Sequence, residues 1–316
     1  MAAGGVTNVD FSRVIIQPHK WLDGGTQVLW PLATGIVPTE KTIALEEEIS
    51  SLKRNVLNLT STNADLTAAN AKLHERTNLQ HLLGRVCEAA HEPLLSGKGL
   101  KKLFDKATVT NAYVLSIDLR RSTDLMLNAR EPKLFAEFIT KLANKLRAVI
   151  LSRFGVFDKF TGDGILAFFP EFYSGEHAGL LAVEAAKECH EVFAEHYKSN
   201  RKCFTCILKN SGLGIGMDFG AVAMVQMSSE LTVVGSPVVF ACRLGGADAG
   251  QTLVNEPAYE DLFSKFSEFI DFVDAEIDFK HAGTMIVHRV TRNEKPSNPT
   301  LPDWLSAADP EPVTPE

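Results

Sequence analysis

The stretch FDKFTGDGILAFF, residues 157–169, constrains the fold of this chain more than any other. Two short apolar runs flank a Gly-Asp-Gly corner, and the glycines at 162 and 164 permit a tight turn with a close approach of the backbone. The pattern therefore predicts a β-hairpin whose strands are GVFDKF and GILAFFP. Because the strands of a hairpin are antiparallel, it excludes a purely parallel α/β architecture.

Strand-like and helix-like runs surround this hairpin between about residues 109 and 291. The predicted strands are NAYVLSID, LGIGMDFGAVAMVQM, ELTVVG, QTLVN and TMIVHRV, and the predicted helices are 131–151, 175–198, SPVVFACRLGGA and EPAYEDLF. This mixture of hairpins and amphipathic helices indicates an α+β sandwich in which helices pack on a sheet.

A heptad pattern precedes this domain. Apolar or asparagine residues recur at alternating steps of four and three, at Ile49, Leu52, Val56, Leu59, Asn63, Leu66, Asn70 and Leu73. Leucine fills every d position, and the a positions hold Ile, Val, Asn and Asn, which favours two parallel strands in a fixed register. The alternative is a solitary amphipathic helix packed on its own domain. The two asparagines at a positions favour the parallel dimeric coiled coil over the solitary helix.

The chain is therefore expected to have four parts. These are an irregular N-terminal segment (1–38), a helical region with the coiled coil (39–94), the α+β domain (105–292) and a Pro-rich acidic tail (293–316). The tail composition is typical of segments that lack a packed core.

Composition excludes some classes of partner. The formal net charge is -7 and no basic block is present, so nucleic acid is not an expected partner. No apolar run approaches the roughly 20 residues that span a bilayer, and the first residues do not resemble a signal peptide, so we expect a cytoplasmic location and no membrane partner. The five cysteines are scattered and do not form a disulfide framework, and the single CFTC motif is a weak metal signal.

Two aspartates stand where predicted strands end. Asp118 ends the first strand, and Asp163 lies at the turn of the hairpin. Strand ends and hairpin tips lie side by side when their strands are neighbours, so both carboxylates can converge on one hard cation. Mg²⁺ or Mn²⁺ held by carboxylates and phosphate oxygens is usual in nucleotide chemistry. Either aspartate alone is more simply explained as a turn residue.

Four motifs occur in the order SIDLRRST, FDKFTGDGILAFF, GLGIGMDFG and VVGSPVVFACRL. In order, spacing and local structure they resemble the class III nucleotidyl cyclases, over about 180 residues. The resemblance implies a ferredoxin-like catalytic core that works as a head-to-tail homodimer, with two active sites at the interface.

The resemblance also assigns roles to residues. Asp118, Asp163 and the backbone carbonyl of Leu119 match a site for two Mg²⁺ or Mn²⁺ ions. The 3′-hydroxyl of a nucleoside triphosphate attacks the α-phosphate, and pyrophosphate leaves. Arg243 matches the arginine that stabilises the α-phosphate in the transition state, which the opposite protomer supplies. Lys280 matches the lysine that holds the outer phosphates.

The family position of Lys159, together with that of Thr232, reads the edge of the base. Lysine with aspartate or threonine is typical of adenine, and glutamate with cysteine is typical of guanine. Lys159 with Thr232 argues against guanine, because a cationic donor would face the N1 and N2 donors of that base.

Other residues depart from the family pattern near the base. Ser116 and Ser122 stand at two positions that are usually aromatic, and Arg121 stands where glycine is usual. Together with Lys159 they supply donors and hydroxyls that both donate and accept. Uracil presents two carbonyl acceptors around one N–H donor and suits this set better than cytosine, whose amino group needs an acceptor. We therefore expect UTP as the substrate, with ATP and CTP as alternatives.

A narrower resemblance supports a pyrimidine. RRSTDLML and FDKFTGDGILAFFP are similar to the bacterial pyrimidine cyclases of the Pycsar anti-phage systems, which make cyclic UMP or cyclic CMP upon infection and activate a partner effector. Val239 stands where the family has an asparagine that orients the ribose. Either the ribose is held differently, or the chain is a catalytically impaired nucleotide-binding dimerisation module. A coiled-coil scaffold would use only residues 45–75.

Overall fold

The computed structural model of this chain describes residues 40–96, 99–106, 108–227, 230–279 and 283–306. The irregular segment predicted for residues 1–38 lies outside these described residues. The chain divides into two compact units, residues 1–65 and 66–316. The boundary falls within the first helix, so the described part of the first unit is the beginning of that helix.

The described helices include those that the sequence predicted, together with several shorter ones that it did not. They are α1 (Glu40–Leu83), α2 (His91–Leu95), α3 (Leu100–Lys106), α4 (Ser122–Leu127), α5 (Pro132–Ser152), α6 (Glu171–Ser174), α7 (Ala178–Ser199), α8 (Ser236–Leu244), α9 (Glu256–Phe266) and α10 (Asp303–Ser306). Proline stands in the first turn of α5, α8 and α9, where its missing N–H and fixed φ are suited to a helix start.

Helix α1 is continuous over 44 residues. The apolar residues of the predicted seam, among them Ile49, Leu52 and Val56, are exposed on it. The helical part of the coiled-coil prediction is therefore confirmed, and the parallel dimer stays a prediction.

The described strands form one sheet. They are β1 (Val109–Arg120), β2 (Val156–Thr161), β3 (Gly164–Pro170), β4 (Gly212–Met227), β5 (Glu230–Val234), β6 (Gln251–Val254), β7 (Ile270–Phe279) and β8 (Gly283–Arg292). Their order is β2-β3-β1-β4-β6-β8-β7, and β5 pairs with β4. All pairs are antiparallel except β4 with β6. The α+β prediction is confirmed.

Strand β7 was not predicted from the sequence. It pairs with β8 along its whole length, from Ile270 opposite Arg292 to Phe279 opposite Gly283. Its acidic residues disfavour a strand by intrinsic preference, because aspartate and glutamate are depleted in strands. The long ladder with β8 overrides that preference.

The sheet carries a hydrophobic core on each face. On the first face, alternate residues of β1 pack with α5 and α7; they are Tyr113, Leu115, Ile117 and Leu119. On the second face, the intervening residues Ala112 and Val114 pack with α8 and with the segment that follows α1. Strand β3, next to β1 in the sheet, is buried along its whole length, which explains why GILAFFP is apolar throughout.

The segment after α1 and the segment after β8 meet at Tyr173. The backbone N–H of Cys87 donates to the Tyr173 hydroxyl at 3.1 Å. The Trp304 ring stacks on the Tyr173 ring at a centroid distance of 5.3 Å, and its Nε1 donates to the Tyr173 carbonyl at 2.7 Å. The described part of the predicted acidic tail is therefore anchored on the domain through a buried tryptophan.

Among the described residues, no helix combines the length and the apolar composition needed to cross a bilayer.

Candidate active site

The predicted metal aspartates lie at the same end of two neighbouring strands. Strands β1 and β3 are antiparallel, and their last pair is Ile117 opposite Ile165. Asp118 is the next residue of β1, and Asp163 lies two residues before Ile165, in the two-residue loop that joins β2 to β3. Gly162 opens that loop with φ +76°, in the left-handed region that favours glycine. The hairpin turn therefore brings Asp163 beside the end of β1.

Asp118 already has a cationic neighbour. Arg120 Nη1 donates to Asp118 Oδ2 at 2.7 Å, and the two side chains are 35% and 38% exposed, in that order. Asp163 is exposed, and the side chain of Leu119 is buried in the core of the first face. Hence Leu119 can offer only its backbone carbonyl to a site at the surface.

No group of three or more His, Cys, Asp or Glu side chains clusters as a metal site within the part of the chain that the structure describes. The predicted site uses only two carboxylates and one backbone carbonyl. These are hard oxygen donors of the kind that Mg²⁺ and Mn²⁺ prefer, with room for water and phosphate oxygens. The donor set and its exposure fit such an ion.

Arg243 lies on the exposed face of α8. Ala241 and Leu244 of the same helix are buried, whereas Val239 and Arg243, four residues apart, are exposed. The guanidinium carbon of Arg243 lies 5.9 Å from the centre of the Phe240 ring, and Arg243 makes no ion pair within the described residues. Its charge is available to a ligand or a second subunit.

Glycines let the end of α8 approach the sheet beside Asp118. A Cβ at Gly216 would overlap the backbone of Ala241 and Gly245, and a Cβ at Gly245 would lie 3.1 Å from Ser116 Oγ. Ser116 is consequently buried beneath this turn. The α8 helix and the Asp118 strand are thus in direct contact, while a role of Ser116 in binding nucleotide stays a prediction.

Lys159 and Thr232 come together around a third residue. Thr232 Oγ1 donates to Asp158 Oδ2 at 2.9 Å, and Lys159 Nζ lies 3.7 Å from the same oxygen. Asp158 and Thr232 are buried, and Lys159 is exposed. The two residues that were predicted to read the base are therefore neighbours, joined by an acid that the prediction omitted.

Asp158 also has a partner outside the predicted domain. Arg85, which follows α1, lies with Nη1 at 3.4 Å from Asp158 Oδ1. Burial raises the pKa of the Asp158 carboxyl, and the Thr232 hydrogen bond, Lys159 and Arg85 each oppose that shift. Sequence patterns offer no signal for this pair because the two residues are 73 positions apart.

The remaining predicted residues are more scattered. Arg121 adopts a left-handed conformation, with φ 63° and ψ 31°, at the position before α4. Its Nε donates to Asp124 at 2.8 Å, and its Nη1 donates to the Lys209 carbonyl at 2.7 Å. Ser122 is the first residue of α4, and Lys280 lies outside the described residues. Nucleotide contacts of these three residues stay predictions.

A second buried acid lies beneath α8. Asp218 is opposite Val114 in the β1–β4 ladder and is 2% exposed, and its Oδ1 has no hydrogen-bond partner among the described residues. Burial raises the pKa of this carboxyl from 3.8 to about 6, against the effect of a hydrogen bond from the Phe219 backbone.

This raised pKa predicts a pH-dependent stability. Protonated Asp218 stabilises the folded state fully below pH 4, and that contribution is lost as the pH rises through about 6. We expect Asp218→Asn to raise the free energy of unfolding by about 3 kcal/mol at pH 8 and to leave it nearly unchanged at pH 4. Urea unfolding at fixed protein concentration measures this, with the exposed Asp271→Asn as control. An equal gain at both pH values would contradict it.

No protein-family model and no curated protein matches the chain. The adenylyl cyclase CyaB from P. aeruginosa superposes with a TM-score of 0.52 at 20% identity, over 59% of this chain and 96% of that one. The guanylyl cyclase Cya2 superposes with the same TM-score at 22% identity, over 61% and 98%. The chain has the class III cyclase fold.

The expected class III cyclase core is therefore confirmed at the level of the fold. Nearly the whole length of both cyclase chains is matched. Within this cyclase fold, Asp118, Asp163 and the exposed Arg243 are displayed by the β1 end, the β2–β3 turn and α8. A fold alone does not determine an activity, so the function depends on individual residues around these three elements.

Proposed function

We propose that the protein is a nucleotidyl cyclase that converts UTP to cyclic UMP and pyrophosphate in a homodimer. The observation that supports this most is the pairing of Ile117 with Ile165, from which Asp118 and Asp163 follow as neighbours at one end of the sheet. Two carboxylates next to a hairpin turn, on a cyclase fold, suit the binding of a metal-complexed triphosphate.

In this proposal Asp118, Asp163 and the Leu119 carbonyl hold two Mg²⁺ or Mn²⁺ ions. When bound, such ions supply activation of the 3′-hydroxyl and neutralisation of the pyrophosphate charge. Because Asp118 is paired with Arg120, this pair has to open for the carboxylate to take up a cation. The two side chains are more than one-third exposed, so breaking this ion pair costs little free energy.

Arg243 stabilises the negative charge that develops on the α-phosphate. Its guanidinium is always charged and presents a planar fork of donors that matches phosphate oxygens. Its position on the outward face of α8 supports delivery to the active site of a second subunit, because the inward face of the same helix is occupied by Ala241 and Leu244. Two equivalent sites then form in the homodimer, and α1 raises the effective concentration of the two catalytic units by pairing in parallel.

Lys159 and Thr232 contact the base, and Lys280 holds the outer phosphates. The Lys159 ammonium donates to a carbonyl oxygen of uracil. Thr232 already donates its proton to Asp158, so its free lone pairs accept from the uracil N3–H. Ser116, Ser122 and Arg121 complete the pocket in place of the aromatic and glycine residues of other cyclases.

The product cyclic UMP would act as a second messenger. In keeping with the resemblance to Pycsar cyclases, we propose that it activates a cyclic-nucleotide-dependent effector in anti-phage defence. The negative net charge of -7 supports a small-molecule substrate rather than nucleic acid.

Adenylate cyclase is the second candidate. The proximity of Lys159 and Thr232 favours this candidate too. Lys159 can donate to adenine N1, while Thr232 accepts from the N6 amino group. A binding module without turnover is favoured by Val239, whose apolar side chain is exposed on α8 one turn before Arg243.

One experiment separates these candidates. Purified full-length protein is incubated with each of the four ribonucleoside triphosphates and Mn²⁺, and products are identified by mass spectrometry. We expect cyclic UMP and pyrophosphate from UTP. Cyclic AMP as the sole product would contradict the pyrimidine proposal and support the adenylate cyclase. Binding of triphosphates without any cyclic product would support the binding module.

A further inference from the structure

The segment that follows α1 is bonded directly to the edge strand of the sheet. Strand β2 is the last strand on one side of the sheet. The backbone N–H of Phe157 donates to the Arg85 carbonyl at 2.8 Å. In return, Arg85 Nη1 donates to the carbonyl oxygens of Phe157, at 3.4 Å, and of Asp158. Arg85 therefore fixes the backbone of β2 immediately before Lys159.

A bulge in β2 turns Asp158 inward at this point. The pairing of β2 with β3 shifts register between Phe157 and Lys159, so Asp158 has no opposite residue in the ladder. A bulge of this kind bends the strand and redirects a side chain. The redirected carboxyl is 1% exposed, and it receives Arg85 at 3.4 Å on Oδ1 and Thr232 at 2.9 Å on Oδ2.

Arg85 is one of the groups that compensate a negative charge on Asp158. A buried carboxylate is stable only when cations and hydrogen-bond donors compensate it, and removal of one partner leaves an uncompensated charge. Within the part of the chain that the structure describes, the other cation near this carboxylate is Lys159, with its Nζ at 3.7 Å from Oδ2. Without Arg85, the carboxylate would draw the Lys159 ammonium inward, away from any ligand.

We propose that Arg85 is a positioning residue for base selection, an inference that rests on the proposed function of Lys159 and Thr232. By bonding to Asp158, Arg85 limits the interaction of that carboxylate with Lys159 to an ion pair of 3.7 Å, longer than a hydrogen bond, so that the ammonium can turn to the base. The same carboxylate keeps the Thr232 hydroxyl oriented as an acceptor for the base. Nucleotide preference in this protein thus depends on a residue that lies outside the catalytic core, in the segment that joins it to α1.

The test measures base preference without turnover. Affinities of the four 3′-deoxynucleoside triphosphates, which lack the attacking hydroxyl, are measured by calorimetry with Mn²⁺ on the full-length protein. We expect Arg85→Met to lower the preference for 3′-deoxy-UTP over the other three by about tenfold. Arg153→Met is the matched control, because Arg153 pairs only with Glu184 and Glu188 among the described residues, and it should leave the preference unchanged.

A double variant distinguishes positioning from a merely structural role. In Arg85→Met with Asp158→Asn the buried charge is gone, so Lys159 is no longer drawn inward. We expect this double variant to regain a preference within about threefold of the wild type. If Arg85→Met does not fold, Arg85→Lys replaces it. That variant keeps the charge but loses the guanidinium, whose Nη1 contacts both backbone carbonyls and Asp158 Oδ1, and a smaller decrease in preference is expected.

Each outcome of these affinity measurements supports or overturns the inference about Arg85. An unchanged preference in Arg85→Met, or in Arg85→Lys in its place, would overturn the inference while the cyclase proposal stands. A wild type that binds all four triphosphates equally would overturn the inference as well. A wild type that binds 3′-deoxy-UTP selectively and loses this selectivity in Arg85→Met supports the inference even if no cyclic nucleotide is formed, and in that case it is the proposed activity that fails.

Discussion

Replacing Asp118 with asparagine is expected to lower cyclic nucleotide formation by about a thousandfold, because a neutral amide binds a divalent cation far more weakly than a carboxylate does. The fold should tolerate the change. Among the described residues Asp118 makes one ion pair, with Arg120, and both side chains are more than one-third exposed, so the free energy of unfolding should change by less than about 1 kcal/mol. The measurement is the initial rate of product formation with saturating UTP and Mn²⁺.

Asp163→Asn should lower cyclic nucleotide formation by the same factor, since it removes the second carboxylate from the same end of the sheet. Asp105→Asn is a suitable control, because Asp105 forms an exposed pair with Lys101 on α3 and has no part in the proposed site. If Asp163→Asn turned over UTP at the wild-type rate, the assignment of the metal site would be wrong.

A heterodimer of two inactive variants is expected to recover about half of the wild-type rate. One subunit carries Asp118→Asn and the other carries Arg243→Met. If the aspartate and the arginine of each site come from different subunits, one of the two sites receives both defects and the other receives none. The variants are coexpressed with different affinity tags and purified on both tags in turn, so that only the heterodimer is assayed.

The control for this experiment is a dimer that carries Asp118→Asn in both differently tagged subunits, which should stay inactive. An inactive heterodimer would mean that Asp118 and Arg243 act within one subunit. The outward position of Arg243 on α8, opposite the buried Ala241 and Leu244, is the reason to expect recovery.

The fold could be predicted from sequence where local patterns and tertiary structure agree. The hairpin is an example, because Gly162 takes the left-handed conformation that its turn requires and the apolar run after the turn is buried throughout. Strand β7 shows the opposite case. Its acidic residues look unlike a strand, and it forms because β8 offers a ladder along its whole length.

The candidate site divides in the same way. Asp118 and Asp163 could be found because each stands at a strand end or a turn, where the sequence itself marks the position. Asp158 could not be found, since local alternation does not reveal the bulge that turns it inward or its pairing with Arg85 across 73 positions. Likewise, the composition around Trp304 suggests a tail and conceals a ring stacked on Tyr173.

The meeting of Cys87, Tyr173 and Trp304 has a practical consequence for chimeric proteins. The Tyr173 ring connects the segment that enters the α+β domain to the segment that leaves it, through the Cys87 hydrogen bond and the Trp304 stack. A graft that replaces the N-terminal region with an unrelated sensor should therefore be joined within α1, well before Arg85. A C-terminal fusion partner should begin after residue 306, so that Trp304 stays stacked on Tyr173.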